Sequence, residues 1–190
     1  MLRSSIPLSE IIIETDSGCE LAPSNIDLAA SELELVSEPG REHVLKEKVA
    51  PLSKRYEYIL IDCQPSFGLL TLNALSAASH VLIPVQTEYF ALRGMDLLFQ
   101  TIDKVKARIN TTLKVLGILP TLYDARTTHA REVLDELQRV YPGLVLKAVI
   151  HRTVKISDST MAGEPILTFT PSSPATDAYR ELASEVERRA

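Results

Sequence analysis

The chain has 190 residues, 45% of them apolar, and a formal net charge of −5 at neutral pH. That length and apolar share suit one globular domain spanning 1–190 with a core of two or three layers. The acidic balance excludes a permanently basic nucleic-acid binder, and no uninterrupted apolar stretch reaches the 18 or so residues of a membrane-spanning helix.

The opening residues reach Ser9 and Glu10 before any apolar signal region develops, so no export or anchoring segment is read there. Glu10 to Ile13 and Cys19 to Ala22 suggest short strands, and Ile26 to Val36 and Arg41 to Leu52 suggest helices. Tyr58, Ile59, Leu60 and Ile61 form an apolar run without polar alternation, the pattern of a strand covered on both faces in a parallel sheet. Val81 to Val85, Val115 to Leu119 and Leu144 to Ile150 repeat it. Between them the period becomes helical. Met95, Leu98, Ile102, Val105 and Ile109 make one apolar stripe, and Ala130, Val133, Leu134, Leu137 and Val140 make a second. Ala175, Ala178, Leu182 and Val186 form a closing helix behind Pro174, where a proline in the first turn costs little. Strands alternating with helices predict an α/β fold with a doubly wound, mostly parallel sheet and helices on both faces.

The run at 58–61 leads into Asp62-Cys63-Gln64-Pro65-Ser66-Phe67-Gly68. In such sheets ligands sit beyond the carboxyl ends of the strands, where Asp62 would hold a magnesium ion through its bound water. Taken alone, the pattern fits a loop- or helix-capping aspartate equally well. Pro65 is read as stopping the strand and Ser66 as capping the next helix. Cys19 and Cys63, without C-x-x-C spacing, read as free thiols, Cys63 as a small buried one. His43, His80, His129 and His151 share no metal-ligand spacing and read as structural or surface residues.

The stretch YILIDCQPSFGLLTLNALSAAS, together with Ala22 to Ala29, Val81 to Tyr89, Gly117 to Thr127 and Val149 to Pro165, resembles the ParA/Soj/MinD group of P-loop ATPases, the ParA partition branch best. The resemblance covers nearly the whole chain. It implies a P-loop NTPase-like fold, ATP and magnesium as cofactors with Asp62 as the Walker B carboxylate, an ATP-closed homodimer, a ParB-like partner and a cytoplasmic or nucleoid location. It puts His151, Arg152 and Thr153 beside the adenine, although the family has Pro and Asn at the first and last of these, and Pro at Gln64. A threonine hydroxyl offers less than the Asn amide it replaces. The resemblance also assigns non-specific DNA contacts to Arg126 and Lys155, both read as loop residues, with Arg131 and Arg152 as candidate additions. By composition alone these are ordinary solvated charges.

A phosphate loop of the form G-x-x-x-x-G-K-[ST] is absent: among the seven glycines no two lie closer than 20 residues. By resemblance the sequence is expected to be N-terminally truncated, starting after the family's first strand and phosphate loop. Whether this chain is itself an enzyme therefore stays open. The family hydrolyses ATP, and these 190 residues are not expected to do so alone. The competing reading is a non-catalytic module that pairs with another ParA-like chain or with DNA. A MinD-like membrane helix is opposed by Glu181, Glu185 and Glu187 in the last helix, so no stable membrane association is expected. Gln64 stands where an esterase elbow needs glycine, and Asp62 lacks the acidic pair of a phosphoacceptor domain.

Overall fold

The structure, a computed structural model, describes residues 6–190, the side chains of Phe90 and Arg93 excepted; the start of the chain on which no targeting segment is read lies partly outside the described residues. The chain divides into two compact units, one comprising the residues up to Ser79 with Gln100–Leu113, the other His80–Phe99 with Lys114–Ala190.

In the first unit, β1 (Ile13–Glu14) and β2 (Glu20–Leu21) form an antiparallel hairpin. Its turn passes through Gly18 at φ +81°, a left-handed conformation that costs glycine nothing. Glu20 on β2 accepts hydrogen bonds from Arg55 and Tyr56, which ties the hairpin down. Three helices follow: α1 (Asp27–Leu35), α2 (Val44–Val49) and α3 (Leu69–Ala77), with α3 packed against the other two. Buried polar groups hold α3 in place. Asn73 Nδ2 donates to the Arg41 and Leu69 carbonyls at 2.7 and 2.9 Å, and its Oδ1 accepts from Leu45 N–H at 3.0 Å. His43 Nδ1 lies 2.8 Å from Ser76 Oγ. Asn110 Nδ2 covers the carbonyls of Leu75, Ser76 and Ala78 at 2.9, 3.2 and 2.7 Å, satisfying the helix end. The long helix α4 (Tyr89–Arg108) contributes to both units, and Met95, Ile102 and Val105 of its predicted stripe are buried.

Four expectations for this unit need correction. A 3-10 turn takes Leu8–Glu10, so β1 starts only at Ile13, and the helix read over 41–52 shortens to α2 plus a 3-10 turn at Ala50–Leu52. Residues 58–61 are not a strand: Tyr58, Ile59 and Leu60 are 47, 39 and 90% exposed. A strand exists through its ladder, and among the described residues nothing pairs with this run. Nor does Ser66 cap α3. Gly68 is the N-cap, with no side-chain bond, and Ser66 lies in a tight turn whose N–H donates to the Gln64 carbonyl at 2.7 Å.

In the second unit β3 (His80–Gln86) and β4 (Lys114–Thr121) are parallel neighbours, as their apolar runs predict, with one register shift between Val81 and Leu82. Gly117 of β4 sits beside that shift. A Cβ there would meet the Leu144 carbonyl oxygen and a Leu146 methyl, each at 2.8 Å, so the close approach needs glycine. Helices α5 (Thr128–Val140), α6 (Val154–Ala162), α7 (Ile166–Phe169) and α8 (Pro174–Arg189) complete the unit. The Thr127 hydroxyl caps α5 and Ser173 caps α8, with Pro174 in the first turn. Leu119, Leu146, Ala148 and Ile150 form the core, packed against Leu82, Ile156, Ala178, Tyr179 and Leu182.

Residues 144–150 run alongside β4 but do not form the predicted continuous strand. Ile118 makes the first bonds regularly, its N–H donating to Leu144 O and its carbonyl accepting from Leu146 N–H, both 2.8 Å. The next ladder bond would need an N–H on residue 120, which is proline, so the ladder breaks. It resumes with Ile150 N–H to Pro120 O at 2.9 Å. In the gap a side chain from α8 takes over. Glu185 Oε2 accepts from Lys147 N–H at 2.8 Å and Ala148 N–H at 3.1 Å. Its other oxygen pairs with Arg189 at 2.7 Å, and Arg189 in turn donates to the carbonyls of Leu116, Gly143 and Val145.

Candidate DNA-facing end of the parallel sheet

The carboxyl ends of β3, β4 and the segment after Ile150 converge. Thr87 N–H donates to Thr121 O at 3.1 Å, Tyr123 N–H to Ile150 O at 3.1 Å, and Arg152 N–H to Tyr123 O at 2.9 Å. Leu122, just past β4, has φ +51°, a conformation that a branched side chain adopts only when its surroundings impose it. Beyond it Tyr123 meets His151 edge to face, ring centroids 5.2 Å apart.

Charged groups cluster here. Arg126, in the turn before α5, donates Nε to Asp124 Oδ1 at 2.9 Å and Nη2 to Asp124 Oδ2 at 2.7 Å. The Arg126 N–H donates to the same Oδ1 at 3.1 Å, and the Asp124 carbonyl accepts from the N–H and hydroxyl of Thr127. Hydrogen bonding from the Arg126 side chain, followed by that from its backbone, lowers the Asp124 carboxyl to about 2, with the charges of Arg126 and Arg152 adding to the effect. Arg152 pairs more loosely with Glu88, Nη2 to Oε1 at 3.3 Å, both side chains more than half exposed. His129 Nε2 accepts the Tyr89 N–H at the start of α4 at 3.1 Å.

Of the residues expected near a nucleotide base, His151 is exposed and edge to face with Tyr123, Arg152 faces Glu88, and Thr153 is the N-cap of α6, its hydroxyl accepting from Lys155 N–H at 3.3 Å. Lys155 therefore lies in the first turn of α6 and not in a loop, because Thr153 ends the extended segment with a cap. Arg126, Arg152 and Lys155 thus share one end of the sheet, with Arg131 exposed on α5 nearby in sequence.

Asp62 belongs to the other unit and is exposed in an irregular segment. Cys63 beside it is an exposed residue, not the buried thiol expected; partial desolvation of its sulfur raises the thiol, and the Asp62 charge adds to this. Among the described residues Asp62 belongs to no group of three or more His, Cys, Asp or Glu side chains that could hold a metal ion.

Sequence reading overlooked Asp124 and Glu88. An Asp-x-Arg-Thr string directly before a helix is the available signal, since the aspartate can bond the backbone two residues on while the threonine caps.

The profile of the AAA domain family matches residues 1–115. The chain is 40% identical over 189 residues to the chromosome partitioning protein ParA of Myxococcus xanthus, spanning 99% of this chain and 67% of that protein. It is 41% identical to the sporulation initiation inhibitor protein Soj of Bacillus subtilis, over 90% of this chain and 68% of the relative. An uncharacterized Mycobacterium tuberculosis protein is 44% identical over 98% of this chain, which spans only 59% of that relative's length. A crystal structure described as cobyrinic acid a,c-diamide synthase from Mycobacterium smegmatis, with bound ADP and magnesium, superposes with a TM-score of 0.84 at 40% identity, covering 98% of this chain and 69% of the other.

Proposed function

We infer the function of this chain from the family to which it belongs, the ParA/Soj branch of the P-loop ATPases with their doubly wound α/β fold. On this reading it is a partition protein for chromosome or plasmid DNA, residues 1–190 form one P-loop-type domain, and Arg126 and Lys155, with Arg152 between them, contact duplex phosphates without reading sequence. Dimerisation raises their effective concentration on DNA and converts weak contacts into useful affinity. Asp62 is the magnesium-side carboxylate of the family and His151, Arg152 and Thr153 its base-side residues. The chain alone does not turn over ATP, since a cradle of backbone N–H groups and a lysine for the phosphates is missing from its sequence. A ParB-like partner and a nucleoid location complete the reading.

What supports it most is the gathering of Arg126, Arg152 and Lys155 at one sheet end in a chain whose net charge is −5. Local cations on an acidic body give conditional DNA binding, where a uniformly basic surface would bind permanently. Fluorescence anisotropy with two labelled duplexes of unrelated sequence tests it. Arg126→Ala and Lys155→Ala should each weaken binding equally for both duplexes and reduce the salt slope by about one. No binding by the unmodified chain at low salt, or a loss confined to one duplex, refutes the reading. A fluorescent ATP analogue with magnesium should not bind; binding would mean that the phosphate site is built differently.

A second reading, a non-catalytic module that joins another chain of the family, is favoured by the exposed run Tyr58, Ile59 and Leu60 with no ladder partner among the described residues. Concentration-dependent association without DNA binding would select it.

A further inference from the structure

Arg126 and Arg152 do not face solvent as free cations. Arg126 presents its two-pronged edge to Asp124 in the side-by-side geometry a guanidinium uses on phosphate. The two partners are not equally exposed. Asp124 is 21% exposed at the side chain and fixed by the turn it makes with Arg126 N–H, while the Arg126 side chain is 88% exposed. The carboxylate is held by the backbone, and the arginine side chain is the one open to other partners. Arg152 is held by one longer contact to Glu88, and among the described residues Lys155 has no ion pair.

We propose that Asp124, and more weakly Glu88, act as built-in competitors of DNA phosphates, so that DNA binding is set by how readily Arg126 and Arg152 leave their own carboxylates. This rests on reading the sheet end as DNA-facing. Each arginine that reaches a phosphate first gives up an intramolecular anion, so its net gain is small in a single subunit. Lys155 engages without that cost, Arg152 next, and Arg126 last. Asp124 is thus a positioning residue that keeps affinity low until several contacts form together.

Asp124→Asn separates the two roles of the aspartate. Its Oδ1 still accepts the Arg126 N–H, so the turn before α5 persists, but the fork loses its anionic partner. Anisotropy of the full chain on a duplex of about 30 bp, between ~50 and ~200 mM salt, reads the effect. D124N should bind about 2- to 5-fold tighter at the lowest salt, the worth of an exposed ion pair, with a salt slope steeper by up to about one. E88Q should show a smaller gain.

The gain should vanish when D124N is combined with R126A, because the coupling runs through that arginine. Glu132→Gln, on the exposed face of α5, changes net charge equally without touching Arg126 and should do less. Equal gains from D124N and E132Q, or a D124N gain that survives in R126A, overturn the proposal in favour of bulk charge. If the unmodified chain binds and R126A weakens it while D124N matches the parent, the proposal alone falls. If nothing binds at any salt, the DNA reading falls and takes the proposal with it. Should D124N lose its fold by circular dichroism, Arg126→Lys serves instead, since it gives up the fork and leaves Asp124 in place. Its binding should be no weaker than the parent's, and a clear loss overturns the proposal.

Discussion

Glu185→Gln changes a carboxylate to an amide of the same size at a residue only 3% exposed, and the structure fixes what each oxygen does. If the glutamine oxygen replaces Oε2, it keeps the bonds from Lys147 and Ala148 N–H, while the amide nitrogen then faces the Arg189 guanidinium, donor against donor. The loss is one charge-assisted bond, worth about 1.5–3 kcal/mol. Arg189 is 26% exposed and retains three carbonyl acceptors, which argues for the middle of that range, about 2 kcal/mol. Glu185→Ala also strands two backbone N–H groups and should cost about 4 kcal/mol. With a urea dependence of about 2 kcal/mol per molar, E185Q should lower the unfolding midpoint by about 1 M at pH 7, followed by circular dichroism. Burial pushes the Glu185 carboxyl up, but the N–H groups of Ala148 and Lys147 together with Arg189 outweigh it, so the folded value lies below 4.5. Its contribution is complete above the unfolded value and disappears as pH falls through the folded one, so the gap between parent and E185Q should close below about pH 4.5. A midpoint shift below about 0.2 M at pH 7 would refute the reasoning. So would a gap that stays constant as the pH is lowered through that window.

Gly117→Ala should destabilise by about 1–3 kcal/mol in the same urea titration, because the new methyl meets a backbone carbonyl that cannot swing aside. Asn110→Ala uncovers three carbonyls at the end of α3 and should cost about 2–3 kcal/mol, with hydrogen exchange accelerating first at Ala77 and Ala78. The Asp124 carboxyl should titrate near 2 by NMR and return toward the ordinary aspartate value in Arg126→Ala; an unchanged titration would mean that the fork does not persist in solution.

Periodicity made the helices legible. Met95, Ile102 and Val105 of one stripe and Ala130, Val133 and Leu137 of the other are buried as read, as are Ile83, Val85, Ile118 and Leu119 on their strands, but Val140, read into the second stripe, is 44% exposed at the end of α5. It failed where pairing depends on a partner that local pattern cannot specify. Residues 58–61 carry a strand's composition but meet no ladder, and 144–150 meet one that Pro120 interrupts. At the candidate site, Arg126 and Lys155 came from the family resemblance and were read as loop residues, whereas Lys155 lies in the first turn of α6. The carboxylates opposing the arginines were not legible, since an ion pair across two residues of a turn, or from Glu88 to Arg152, leaves no periodic trace.

Glu185 and Arg189 also put the timing of folding in the hands of the last helix. Arg189 reaches back 73 residues to the Leu116 carbonyl, and Glu185 reaches 37 residues to Ala148. During synthesis β4 and the segment beside it emerge long before the side chains that fill their gap. Until Glu185 has left the ribosome, Ala148 N–H has only water to bond, and the sheet waits half-finished for a helix made after it.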